Sequence, residues 1–195
     1  HTFPFQERGV KRLAIREQAL WKNERADNCL LRFNLCNSLL GIGDSCKELF
    51  MRIALISDIH GNCVALDAVL ADIAMQGGVD GYWLLGDLVA LGPDPAGVMQ
   101  RLRTLPNQQA IRGNTDRWLT DVHTEFPLTP DEISRGAQNN ESSLLELAYS
   151  MVWTQGALTA SGDLDWIAKL PLEYRTILPD GTRVLCVHAA PGQDD

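Results

Sequence analysis

A chain of 195 residues is long enough to bury a core of its own as one domain. Its composition, 45% hydrophobic and 22% charged, is that of a globular protein, and no apolar run nears the roughly 18 residues of a transmembrane helix. A formal net charge of −8 argues against stable nucleic-acid binding, because a phosphate backbone repels such a surface.

The charge is unevenly spread. Residues 1–50 carry eight Lys and Arg against six Asp and Glu, whereas residues 51–195 carry nine against nineteen. Three of the five cysteines also precede Met51. This break makes residues 1–50 an extension outside the main domain, with the working domain over 51–195. Within the extension, residues 6–26 read as a basic, moderately amphipathic helix, and residues 29–40 are apolar with Asn interruptions. No basic–apolar–cleavage order marks a secretory signal, and six acids are too many for a transit peptide. Cys29, Cys36 and Cys46 match no tight metal-ligand spacing, so reduced thiols in the cytoplasm are expected.

From Met51 onward strands and helices alternate. Residues 52–57 form a nearly all-apolar run, the pattern of a strand buried on both faces, and break into Asp58-Ile59-His60-Gly61-Asn62. Residues 64–75 keep apolar residues at helical spacing until Gly77-Gly78. Residues 81–85 are a second buried strand ending at Gly86-Asp87. Residues 95–105 are a second helix, with Pro95 suited to a first turn, and residues 109–112 a short strand ending at Gly113-Asn114. Thr129-Pro130-Asp131 opens a helical stretch through Ala137, followed by helices over 142–158 and 161–170, the latter capped by Ser161. Residues 173–178 and 183–187 read as a hairpin running into His188. The order predicts an α/β fold with a parallel sheet and right-handed crossovers.

Ligands of open α/β sheets bind beyond the carboxyl ends of the strands. Asp58 and His60, then Asp87, then Asn114 each follow a predicted strand, so three strand ends deliver two carboxylates, an imidazole and an amide to one rim. His188 follows a fourth. An Asp and a His two apart can hold a hard cation between them.

Taken together, Asp58-x-His60, Gly86-Asp87 with Gly92-Pro93, Gly113-Asn114-x-Asp116 and the late His188 resemble the calcineurin-like metallophosphoesterases, in particular their small single-domain prokaryotic branch. A lone Asp-x-His is common by chance; four blocks in this order, each after a strand, are specific. The resemblance implies a four-layer α/β/β/α sandwich holding two divalent metals. Asp58 and His60 would bind the first metal, Asn114 and His188 the second, and Asp87 would bridge both, since two cations about 3.5–4 Å apart need a shared anion. A nitrogen–oxygen donor set suits manganese first, with iron, zinc, nickel or cobalt able to substitute. The implied activity is hydrolysis of a phosphodiester or phosphomonoester, a nucleotide among the candidates, by a hydroxide activated between the metals. Asp87, Asn114 and His188 would carry the chemistry. The alternative is a metal-binding scaffold of the same fold without turnover. Five intact ligands favour the enzyme, and the lack of Gly-x-Gly-x-x-Gly disfavours a dinucleotide binder.

Two departures stand out. Many family members carry a His after the Gly-Asn pair to protonate the leaving group, whereas this chain has Thr115, a poor acid near neutrality. Aryl esters, whose leaving groups need little protonation, should then be favoured. Asp116 is read as orienting a ligand loop, and Arg117, Asn62, Thr115 and His123 as candidate substrate contacts. The family also closes its site with a late Gly-His-x-His block, and none occurs before Asp195. The chain is therefore expected to be C-terminally truncated, with an incomplete sandwich, open sheet edges and little or no activity as it stands. Cys63 and Cys186 are read as buried hydrophobes, and Trp118, Trp153 and Trp166 as core or cap packing.

Overall fold

The computed structural model describes residues 29–34, 50–121, 142–178 and 181–195. The elements are β1 (Cys29–Asn34), β2 (Phe50–Ile56), α1 (Cys63–Met75), β3 (Gly81–Leu84), α2 (Pro95–Leu102), β4 (Gln108–Ala110), α3 (Asn114–Thr120), α4 (Ser142–Ser161), α5 (Leu164–Ala168), β5 (Glu173–Ile177) and β6 (Arg183–Val187). One sheet has the order β1-β2-β3-β4, with β2, β3 and β4 mutually parallel as expected. A second, two-stranded sheet is the β5–β6 hairpin.

The first fifty residues contribute a strand. β1 runs antiparallel to β2 from Cys29 opposite Leu55 to Asn34 opposite Phe50, which covers that edge of β2. The helical stretch expected over 129–137 lies outside the described residues.

Side-chain alternation along the strands builds two cores. Ala54, Ile56 and Leu84 face the helices and pack with Leu66 and Ile73 of α1, Val98, Met99 and Leu102 of α2, and Met151 and Leu158 of α4. Ile53, Leu55, Trp83 and Leu85 point the other way and meet Val184, Cys186 and Leu178 of the hairpin. Trp83 closes this second core by meeting Tyr174 edge to face, centroids 5.7 Å apart at 70°. The described residues thus show a helix layer, a sheet and a second sheet. A fourth, helical layer of the expected sandwich is not among them.

Local chemistry sets the boundaries. Asn62 caps α1 by accepting from the Ala65 N–H at 3.0 Å, and Asp94 caps α2 by accepting from Gly97, with Pro95 in the first turn. Arg52 donates to the Gln76 and Gly77 carbonyls at the far end of α1, where a cation also suits the helix dipole. α2 stops at Leu102, short of the expected Leu105. There the Thr104 and Leu105 N–H groups reach back only three residues, to Arg101 and Leu102, so the last turn tightens. Ser161 is not the cap of the next helix but the last residue of α4. Gly162 at φ 77° ends α4, Asp163 stands at the N-cap of α5, and its buried carboxylate pairs with Arg103.

Trp118 and Trp166 pack on the helix-side core as expected, but Trp153 is half exposed, beside exposed Tyr149 and Val152. Cys63 and Cys186 are buried and free. Burial pushes both thiols up to about 11, helped at Cys63 by its hydrogen bond to Asp94, so each behaves as an inert small hydrophobe. No described helix is long and apolar enough to cross a membrane.

Candidate metal centre

The loops after β2 and β3 are joined main chain to main chain. The Asp58 N–H donates to the Gly86 carbonyl at 3.1 Å, His60 to Asp87 at 3.0 Å, and Gly61 to Leu88 at 3.1 Å. This ladder holds Asp58, His60 and Asp87 in the left-handed region, at φ of 56°, 48° and 54°. Non-glycine residues pay about 1–2 kcal/mol each for that conformation. All three are polar donors, so the strain sits where the expected ligands are.

Glycine is required where these loops meet the next strand end. At Gly86, φ is 93°, and a Cβ would lie 2.6 Å from the Gly113 nitrogen and 2.8 Å from His188 Nδ1. Gly86→Ala should therefore cost roughly 3 kcal/mol, from left-handed strain plus overpacking. The midpoint of urea unfolding should fall accordingly, and an unchanged midpoint would contradict this packing.

The two histidines are fixed in one tautomer. His60 Nδ1 lies 3.2 Å from the Ala90 carbonyl and His188 Nδ1 lies 2.7 Å from the Leu85 carbonyl. A carbonyl only accepts, so Nδ1 carries a hydrogen, and of the two neutral tautomers the one held here leaves Nε2 as the ligating nitrogen. Both Nε2 atoms face Asp87 from different sides: His60 is 3.7 Å from Oδ2 and His188 is 3.6 Å from Oδ1. His60 Nε2 is also 3.8 Å from Asp58 Oδ1. These gaps are too long for hydrogen bonds. They suit pairs of donors each about 2.1 Å from a shared cation. Asp58, Asp87 and His188 also offer one donor atom each, all within 4.8 Å of one another. The donor set fits divalent metal, and backbone carbonyls behind metal-ligating imidazoles are the usual orienting partners. Asp87 is almost fully buried while the Asp58 side chain is 59% exposed, so the site opens to solvent on the Asp58 side.

Asn114 is the first residue of α3, and the next residue ties it to the centre: the Thr115 N–H donates to Asp87 Oδ1 at 3.0 Å. Asp116 orients the loops as expected. Its carboxylate is fully buried and accepts from the N–H groups of Asp87 (2.8 Å), Leu88 (3.0 Å) and Gly113 (3.0 Å). Burial pushes its carboxyl up to about 6. The Gly113 and Leu88 N–H groups oppose that shift, repulsion from Asp87 adds to it, and the Asp87 N–H opposes it too.

The remaining candidates scatter. Asn62 is used as a helix cap. The Thr115 hydroxyl is shut off from solvent and has no hydrogen-bond partner. Arg117 donates from Nε to Asp194 at 3.1 Å and from Nη2 to Asp195 at 2.9 Å, and Arg112 Nε meets the same Asp194 at 2.8 Å. His123 lies outside the described residues. Sequence reasoning missed Asp194; the signal available was the Pro191-Gly192 turn just after His188, which sends the chain back on itself.

Carboxylates and imidazoles gathered at the carboxyl ends of a parallel sheet, with a second sheet packed behind, define a metal-binding α/β sandwich protein. The chain belongs to the calcineurin-like phosphoesterases, the family that matches residues 51–193. It is 39% identical over 157 residues to a symmetrical bis(5'-nucleosyl)-tetraphosphatase of Serratia proteamaculans, covering 73% of this chain and 56% of that protein. It is also 39% identical over 74 residues to the enzyme of that name from Pectobacterium atrosepticum, covering 37% of this chain and 26% of that one. A hypothetical protein of Pyrococcus horikoshii, 19% identical, shares the fold with a TM-score of 0.51 over 68% of this chain and 52% of its own. The chain spans between a quarter and just over half of the curated relatives it matches.

Proposed function

We propose that the protein is a metal-dependent phosphoesterase of the cytoplasm that cleaves a nucleotide-linked phosphate bond. The observation that carries this reading is the pair of imidazoles whose Nε2 atoms face the two oxygens of one buried carboxylate, His60 at Asp87 Oδ2 and His188 at Asp87 Oδ1. In this reading two divalent cations bind, manganese foremost. Asp58 and His60 would hold one, Asn114 and His188 the other, and Asp87 would contribute to both. When bound, the cations supply Lewis acidity and positive charge opposite a phosphate. The chain supplies the rest. The Leu85 and Ala90 carbonyls keep the imidazole protons on Nδ1, Asp116 fixes the Asp87 loop, and the exposed side at Asp58 admits substrate.

The names of the curated relatives point to a bis(5'-nucleosyl) tetraphosphate as the substrate class. Thr115 agrees with that choice, because a buried hydroxyl is a poor proton donor. A leaving group that departs without a proton, such as a nucleoside polyphosphate, suits this site better than an alkoxide. The full-length protein with manganese should release nucleotides from a bis(5'-nucleosyl) tetraphosphate, followed by chromatography, and a chelator should stop the release. Release that persists under chelation, or none with any divalent cation, would sink the reading.

A further inference from the structure

Two of the proposed ligands sit on different sheets: Asn114 follows β4 of the larger sheet, and His188 follows β6 of the hairpin. Among the described residues no backbone ladder joins the two sheets, so contacts other than strand pairing set the spacing of these strand ends. After His188 the chain turns at Pro191-Gly192, with Gly192 at φ 80° and the main chains of Ala190 and Gln193 bonded to each other. The turn brings Asp194 back beneath the β4–α3 junction. There its buried carboxylate takes Nε of Arg112, two residues before Asn114, and Nε of Arg117, three residues after it. One carboxylate thus accepts from both flanks of the Asn114 loop.

We infer that Asp194 is a positioning residue of the proposed centre, a clasp that holds the His188 turn against the Asn114 loop through Arg112 and Arg117. The inference rests on the metal-centre reading but reaches a residue just past the family match, which ends at residue 193. Asp194 touches none of the donors. Its effect passes along six residues of chain to His188, whose Nδ1 must stay on the Leu85 carbonyl to aim Nε2 at Asp87. A buried carboxylate shared by two guanidiniums is a demanding arrangement, and removing it takes the acceptor from Nε of both, while Arg117 keeps Asp195 at Nη2.

The test uses the metal-free chain first. The sequence holds four histidines, at positions 1, 60, 123 and 188, so long-range proton–nitrogen NMR resolves each imidazole tautomer. In Asp194→Asn the His188 signals should move toward a mixture of tautomers while those of His60 stay in place. Manganese titration by calorimetry should then show at least one class of site weakened about tenfold, the scale of an orienting-partner loss. Asp194→Glu should recover part of both. An unmoved His188 spectrum overturns the inference. So does equal disturbance of His60 and His188, or loss of the folded spectrum, since either marks Asp194 as a residue of the whole fold. Failure of the phosphoesterase reading would show instead as absent turnover with the His188 response intact.

Discussion

Asp87→Asn should lower turnover by roughly a hundredfold or more, exceeding the effect usual for an outer partner of a metal ligand. The loss should also be lopsided. Asp87 Oδ1 accepts the Thr115 N–H, so the amide of an Asn would keep its oxygen there and place its NH2 at the Oδ2 position. That nitrogen has no lone pair to offer and would face His60 Nε2, which lies 3.7 Å from Oδ2. In the proposed reading, the half of the centre built on Asp58 and His60 would therefore lose its shared donor, while the half at His188 would keep an oxygen. Elemental analysis should find metal content reduced but not abolished, with little change in the unfolding midpoint. Unchanged turnover, or loss of all metal, would show that Asp87 does not bridge in this way.

Asp116→Ala should act on the fold. Three buried N–H groups, of Asp87, Leu88 and Gly113, would lose their acceptor, and each stranded donor costs about 1–3 kcal/mol. A combined loss of roughly 3–5 kcal/mol is a large share of the 5–15 kcal/mol typical of a domain. The melting temperature should fall by about 10 °C or more at this chain length. Asp116→Asn adds a test of sign. Burial raises the folded pKa of Asp116 from 3.8 to about 6, so its contribution is full below the unfolded value and is lost as pH rises through the folded one. Asparagine does not titrate. The metal-free wild type should therefore gain on Asp116→Asn by about 2 kcal/mol as pH is lowered from 7 to 4. A stability difference that stays flat with pH would mean that the three N–H groups cancel the effect of burial, and one of opposite slope that they outweigh it.

Much of the site was legible because buried strands leave a sharp signature. Residues 52–57 and 81–85 run apolar into a glycine turn, which places Asp58, His60 and Asp87 on the rim without any tertiary information. The role of Asp116 followed from its place beside Asn114. The misses are of another kind. α3 is seven residues of mostly polar chain, too short for periodicity to declare. Trp153 sits on a helix with apolar residues all round, so the sequence does not say which face is left open. The pairing of Asp194 with Arg112 and Arg117 spans 82 and 77 residues; the Pro191-Gly192 turn signals a reversal of the chain but not which residues it meets. β1 likewise owes its strand to a partner further along the chain, β2.

The left-handed backbone at Asp58, His60 and Asp87 closes off one route of change. Ordinarily a strained turn can be relaxed by drift to glycine, which gains stability at little expense elsewhere. Here the three strained positions are three of the proposed donors, so each such relaxation would erase a ligand. Relaxation to glycine without loss of a proposed ligand is open at Leu91, at φ 70°, whereas at Asn107, at φ 50°, it would give up the side chain's bond to the Asp80 carbonyl. The rim is thus a reserve of conformational tension that selection can surrender only together with the chemistry.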